Sequence, residues 1–237
     1  MNIFDIFQKL KFPNCTCDIC NREVFGGERI CDKCLESLPW NNGLVCPLCG
    51  RKVTEEGICF ECKTKPLTVD RARSVFLHEG EAARLVMRFK QGKKYLKEPL
   101  FELLLPLLGE HFSEADAVTF VPMTEKSQKA RGYNQSRLLA EALSEKFGKE
   151  LLDCLEKVRD TDAQKMLSRK EREENLKDCF RVADNKRVNG KNVLIIDDTM
   201  TTGATAGELA TTLRRAGAEK VFLLTVTSVP YKSQQKS

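Results

Sequence analysis

Four Cys-x-x-Cys pairs stand in succession before residue 63: Cys17/Cys20, Cys31/Cys34, Cys46/Cys49 and Cys59/Cys62. Such a turn places two sulfurs on one side of a tight knuckle, and two knuckles complete the tetrahedral four-sulfur shell that zinc prefers. Nine of the 11 cysteines lie in this stretch; only Cys154 and Cys179 follow it. The stretch therefore reads as a module with a very small apolar core, in which metal binding supplies much of the folding free energy. With every coordination position filled by sulfur, both zinc sites are structural and leave no place for a catalytic water. Sequential pairing (Cys17/Cys20/Cys31/Cys34 and Cys46/Cys49/Cys59/Cys62) closes each half locally, at small cost in loop entropy. Crossed pairing (Cys17/Cys20/Cys46/Cys49 and Cys31/Cys34/Cys59/Cys62) is the alternative. Cys15, a ninth thiol beside the first knuckle, reads as spare rather than as a replacement for Cys17.

The change in cysteine usage sets the domain plan: a lead helix and a double four-cysteine zinc-ribbon module over residues 1–66, then a second domain over residues 67–237. At 41% hydrophobic and 31% charged residues, the composition is that of a globular chain and excludes intrinsic disorder. The longest apolar stretch, Leu103 to Leu108, is broken by Pro106 and is far below the roughly 20 residues a membrane span needs, so no stable membrane insertion is expected. The N-terminal segment, Met1 to Leu10, has apolar residues at helical spacing. It lacks the basic leader, long apolar core and cleavage site of a secretory signal, and reads as a short amphipathic helix that docks on the protein. A cytoplasmic location follows, where thiols stay reduced. The formal net charge of +5 is weak evidence for nucleic-acid binding, because two four-thiolate zinc sites of about −2 each would leave about +1.

Beyond residue 70 strands and helices alternate. Arg71–His78 reads as a strand, Glu79–Gln91 as a helix stopped by Gly92, and Lys97–Phe112 as a helix that Pro106 should kink or divide. Asp116–Val121 is a short buried strand, Asn134–Phe147 a helix ended by Gly148, Val193–Ile196 an apolar strand, Ala206–Ala216 a helix, and Val221–Val226 another apolar strand. Continuous apolar strands alternating with helices predict an α/β fold with a mainly parallel sheet covered on both faces.

The last unit carries the strongest chemical signal. The strand Val193–Ile196 runs directly into Asp197 and Asp198, then into a segment rich in hydroxyls and small residues, then into a helix. This order aims backbone N–H groups and the positive helix end at whatever sits there. Thr201, Thr202 and Thr205 add hydroxyl donors, and Gly203 and Ala204 leave room for a close approach. A phosphate suits that end. The two carboxylates would repel a phosphate but suit a pair of sugar hydroxyls, so the pattern fits a ribose 5-phosphate.

Val193 to Thr205, VLIIDDTMTTGAT, resembles the binding signature for 5-phosphoribosyl 1-pyrophosphate (PRPP) of type I phosphoribosyltransferases, apart from Thr199, where an aliphatic residue or Ser is usual. The resemblance implies that the paired acids hold the ribose 2- and 3-hydroxyls, that the following segment wraps the 5-phosphate, and that magnesium accompanies PRPP. It also implies a pyrophosphate loop after the first core strand, here Val121 and Pro122 leading to Lys129 and Arg131. The segment KARGYNQ over Lys129–Gln135, the LSRKEREENLKDCF stretch ending at Phe180 and the cysteine pairs together resemble the competence protein F (ComF) family over nearly the whole chain. That resemblance implies a cytoplasmic accessory of DNA uptake that acts on incoming single-stranded DNA with a transport helicase. Lys90, Lys93, Lys94 and Arg169 are the nucleic-acid candidates, Lys90 first because it stands at a helix end; the plainer reading is solvated surface charge. Two further readings stay open: a magnesium-dependent transferase of pentosyl groups to an unknown acceptor, or a PRPP-sensing regulator. The motif supports a pocket, and turnover only by analogy.

Overall fold

The structure, a computed structural model, describes residues 16–25, 28–159 and 169–230. The lead segment Met1–Leu10 and Cys15 lie outside the described residues. Two compact units emerge, the first ending at Leu38 and the second beginning at Pro39.

In the first unit a bridge between Thr16 and Glu23 closes the first knuckle, and helix α1 (Asp32–Glu36) carries Cys34. The buried core there consists of Cys17, Val24 and Cys34, with Ile19 and Ile30 packed against it. So little apolar surface cannot hold a fold without cross-links or metal.

The second unit opens with another knuckle, closed by a bridge between Val45 and Lys52, and helix α2 (Phe60–Thr64). The strands and helices that follow are β1 (Arg71–Leu77), α3 (Gly80–Lys90), α4 (Lys97–His111), β2 (Ala117–Phe120), α5 (Glu125–Arg131) and α6 (Gln135–Phe147). Then come β3 (Glu150–Leu151), β4 (Leu155–Lys157), α7 (Arg169–Leu176), β5 (Phe180–Val182), β6 (Asn192–Met200), α8 (Ala204–Arg215) and β7 (Lys220–Ser228). The main sheet has the order β1-β7-β6-β2-β3, with every pair parallel. β2 is buried throughout and β6 and β7 nearly so, which is why their sequences are apolar on both faces. β4 and β5 form a separate antiparallel pair.

The strands nearest the site run longer than their apolar stretches. β6 continues past Ile196 through Asp197 and Asp198 to Met200, and β7 continues to Ser228, in the register Asp197↔Thr225, Thr199↔Thr227 and Met200↔Ser228. Thr225, Thr227 and Ser228 are fully buried because their hydroxyls find partners: Thr227 Oγ1 to Thr199 Oγ1 at 3.2 Å, Thr225 Oγ1 to the Thr227 carbonyl at 3.1 Å, and Ser74 Oγ to Ser228 Oγ at 2.7 Å. Satisfied hydroxyls cost little to bury, so the ladder does not stop where hydrophobicity does. The connection to α8 is therefore only Thr201–Gly203, and Ala204 and Thr205 already belong to the helix.

α4 is one continuous helix rather than two. Pro106 and Glu102 lie on its exposed face, where water can satisfy the carbonyl that the proline cannot bond. The compositional boundary at residue 66 falls inside the second unit, because Leu48, Gly50 and Arg51 pack on or bond to the sheet and its loops.

Candidate functional site

Parallel pairing of Phe120 with Ile196 sets the C-terminal end of β2 beside the middle of β6, just before Asp197 and Asp198. Beyond them opens a cavity of about 690 Å³, walled by α3, the Val121–Thr124 turn, the start of α6 and the start of α8. Asp197 and Asp198 line it together with Thr201 and Thr205.

The two carboxylates are held differently. Asp198 is 4% exposed. One oxygen lies 2.6 Å from Lys90 Nζ of α3, and the other accepts from Gln135 Nε2 of α6 at 2.9 Å. Asp197 keeps partial exposure, and its Oδ1 accepts from Ser136 Oγ at 2.8 Å and from the Asp198 backbone N–H at 2.9 Å. Burial pushes the Asp197 carboxyl up to about 7; the Asp198 charge adds to the rise, while Lys90 and Ser136 restrain it. Asp198 is thus an ion-paired fixture, and Asp197 is the carboxylate whose partners are neutral.

The helix starts are built from local sequence. Asn134 caps α6, its Oδ1 accepting from Arg137 N, and its Nδ2 donates to the Val121 carbonyl at 2.9 Å. One side chain therefore fixes both the helix start and the turn after β2. Thr124 caps α5, and Gly132 ends it with φ +83°. At the start of α8, Thr202 Oγ1 accepts from Ala204 N at 3.2 Å. Gly203 has φ +84°, and a Cβ there would lie 2.6 Å from Leu67 Cδ2. The close approach that Gly203 permits is that of Leu67.

Of the residues expected from sequence, Asp197, Asp198, Thr201, Thr205, Val121, Pro122 and Arg131 line the cavity. Thr202, Gly203 and Ala204 line a smaller one of about 180 Å³ with Leu67 and Thr68. Lys129 is exposed and pairs with Glu125 one helical turn back, at 3.4 Å. Lys90 lines the cavity as the partner of Asp198. Lys93 and Lys94 are exposed, and Lys94 Nζ lies 4.9 Å from the centre of the Tyr133 ring. Tyr133 is a packing residue whose hydroxyl donates to the Phe89 carbonyl. Arg169 begins α7, with its side chain outside the described ones.

Ser136 and Lys157, which escaped the sequence reading, also line the cavity, as does His78, which reads from sequence as structural. His78 accepts from or donates to Thr227 Oγ1 at 2.9 Å; burial, then Lys90, lowers its pKa, which favours the neutral ring. Gln135, quoted in sequence only as part of a motif, is 4% exposed, and its Oε1 has no hydrogen-bond partner. The available signal was two polar residues at the first two positions of a helix whose later face is apolar.

The eight knuckle cysteines form two sets in the sequential pairing, Cys17/Cys20/Cys31/Cys34 and Cys46/Cys49/Cys59/Cys62, with all sulfurs of a set within 4.8 Å of one another. Burial opposes ionisation of Cys17 and Cys46, but backbone N–H groups pointing at each sulfur outweigh it and bring both thiols down to about 7. Those contacts include Cys31 N to Cys17 Sγ and Cys59 N to Cys46 Sγ, both 3.4 Å. Burial pushes the Cys34, Cys49 and Cys62 thiols up instead, and it is the tight four-sulfur geometry of each set that fits structural zinc.

Known proteins share both parts. A double zinc ribbon domain family matches residues 7–63, and a phosphoribosyl transferase domain family matches residues 134–236. The DNA utilization protein YhgH of an Escherichia coli strain is 30% identical over 219 residues, covering 86% of this chain and 93% of its own. Competence protein ComFC of Bacillus subtilis is 26% identical over 186 residues, 75% of each chain. A solved glutamine PRPP amidotransferase from B. subtilis is alike over 55% of this chain and 26% of its own, at 27% identity and a TM-score of 0.39. Among the described residues no helix is long and apolar enough to cross a membrane.

Proposed function

The chain belongs to the family of competence protein ComFC and DNA utilization protein YhgH, and on that premise we propose that its cavity binds a ribose 5-phosphate, PRPP foremost, in the handling of incoming single-stranded DNA in the cytoplasm. The observation that carries the ribose reading is the state of the acid pair. Asp198 is already neutralised by Lys90, and Asp197 is left with neutral donors. A sugar hydroxyl would suit Asp197 without requiring a second cation.

The other parts of the ligand follow. The Thr201 and Thr205 hydroxyls and the N-terminus of α8 suit the 5-phosphate. The Val121–Thr124 turn and Arg131 suit a pyrophosphate. Magnesium, when bound with PRPP, supplies counter-charge to that pyrophosphate, and Asp197 is the carboxylate free of a cationic partner to hold it. Lys93 and Lys94, exposed beside the α3 end of the cavity, are the first contacts for a DNA backbone. A transport helicase is the proposed partner. Binding alone suffices for this reading, and no residue is assigned to an acceptor.

Calorimetry with ribose 5-phosphate, 2-deoxyribose 5-phosphate and PRPP with magnesium tests it. Ribose 5-phosphate should bind at least tenfold more tightly than the deoxy sugar, and Asp197→Asn should remove the difference. Equal affinity for the two sugars would reject the diol role. Single-strand DNA affinity should fall steeply with salt, as counterion release requires, and less steeply for Lys93→Gln with Lys94→Gln. A flat salt response would reject backbone binding.

A further inference from the structure

The second four-cysteine set is tied to the phosphate end of the cavity, within one compact unit. Arg51 stands two residues after Cys49 and is 4% exposed. One of its terminal nitrogens donates to Glu61, which lies between Cys59 and Cys62 on α2, and the other donates to the backbone carbonyl of Thr201. Thr201 is the first residue of the loop between β6 and α8, 150 positions further along the chain. Around this contact the same arm grips α8 twice more. Leu67 packs where a Cβ of Gly203 would be, and Thr68 Oγ1 donates to the Gly207 carbonyl at 2.7 Å.

The base of the arm is equally fixed. The Leu48 carbonyl accepts from Ala72 N of β1 at 2.7 Å. A Cβ on Gly50 would collide with the Ala72 carbonyl, and the Gly50 carbonyl accepts from Asn41 Nδ2 at 2.7 Å. The knuckle therefore cannot slide on the sheet edge, and the Arg51 fork is aimed by the fold of the ribbon itself. A buried guanidinium is costly unless its donors are met. It stays in place only while the ribbon holds Glu61 and the Thr201 carbonyl in reach together. That ribbon has a buried core of Cys46, Cys49 and Cys62, with Leu48, Val53 and Leu67 packed against it, so bound metal supplies much of its folding free energy.

We infer that Arg51 is a positioning residue that makes the phosphate loop depend on the metal occupancy of Cys46, Cys49, Cys59 and Cys62. With zinc bound, the Thr201 carbonyl is clamped and Thr201 and Thr205 face the cavity. With zinc lost from this set, Arg51 loses its frame, the loop opens, and the 5-phosphate end weakens. The first four-cysteine set belongs to the other compact unit. The affinity part of this inference rests on the ribose 5-phosphate reading; the loop part does not.

The test uses the full zinc-loaded chain and four variants: Arg51→Met, Arg51→Lys, Cys62→Ser and Cys34→Ser. Zinc content, amide hydrogen exchange over residues 200–207 and ribose 5-phosphate affinity are measured for each. Arg51→Met should keep both zinc ions, speed exchange at Thr201–Thr205, and weaken ribose 5-phosphate about tenfold, the scale of one charge-assisted hydrogen bond. Arg51→Lys should recover part of both effects. Cys62→Ser should lose one zinc and reproduce the Arg51→Met loop; Cys34→Ser should lose one zinc and leave the loop and affinity as in wild type. Wild-type exchange in Arg51→Met, or equal loop loosening in Cys34→Ser and Cys62→Ser, would overturn the inference. Faster exchange with unchanged affinity would overturn its link to the ligand. If wild type binds no ribose 5-phosphate, the functional proposal fails and the exchange data alone decide the role of Arg51.

Discussion

Replacing Lys90 with Met isolates the ion pair that distinguishes the two acids. Lys90 Nζ is 2.6 Å from Asp198 Oδ1, with the Lys90 side chain 30% exposed and that of Asp198 6% exposed. Breaking a fully buried pair by removing one partner costs about 3–5 kcal/mol, because a charge is left without compensation. Partial exposure of Lys90 lets water recover some of this, and Gln135 Nε2 still donates to Asp198. The expected loss at neutral pH is therefore about 2–3 kcal/mol, a fall in the melting midpoint on the order of 4–12 °C for a chain of this size. Combining Lys90→Met with Asp198→Asn puts a neutral amide beside an apolar chain, so the double variant should lose less than the sum of the singles, with a coupling of about 2 kcal/mol. Melting is followed at constant zinc, since bound metal shifts midpoints by itself. Lys90 also restrains the rise of Asp197, so its loss should move the Asp197 titration above about 7, read from carboxyl carbon chemical shifts against pH. Additive single variants, or an Asp197 titration that does not rise, would refute the assignment of Lys90 as the counter-ion of the pair.

Three other outcomes are expected. The folded value of Asp197, about 7, lies above its ordinary 3.8, so this group favours the folded state below about 4, and that contribution is lost as pH rises through 7. A ligand that uses the Asp197 carboxylate must displace its proton below that point, so affinity should fall about tenfold per pH unit beneath 7; an equal slope in Asp197→Asn, which shares any ionisation of the ligand, would dismiss the idea. Gly203→Ala combines φ +84° with a 2.6 Å contact to Leu67 and should destabilise the second unit by about 1–3 kcal/mol, with partial recovery when Leu67→Ala is added; the absence of any recovery would argue against the Leu67 contact. Sequential pairing of the cysteines means that Cys20→Ser combined with Cys34→Ser should cost one zinc per chain, measured by metal analysis, whereas crossed pairing would cost two.

Much of the plan could be read from single residues. Cys-x-x-Cys spacing reports local geometry, so two four-sulfur sites were readable, and loop entropy favoured the pairing that the structure has. Alternating apolar strands and helices report burial on both faces of a sheet, so the parallel α/β domain was readable too. Residues that end a helix act within a turn of themselves, and the stop at Gly148 was visible for that reason. The ends of β6 and β7 were not, because Thr225, Thr227 and Ser228 are polar by type and buried only through partners that the sheet supplies.

What tertiary structure alone decided are the pairings between distant parts of the chain. In sequence Lys90 stood first among the nucleic-acid candidates because of its place at a helix end; the fold sets it against Asp198. Gly203 fitted a close ligand approach, and the fold fills that space with Leu67. Arg51 had no signal at all, yet it joins a cysteine knuckle to the loop between β6 and α8 across 150 positions. Sequence determines chemistry whose partners are a few residues away, since the chain itself fixes those distances. Contacts between segments that meet only after the sheet assembles depend on register and packing, which no local pattern records.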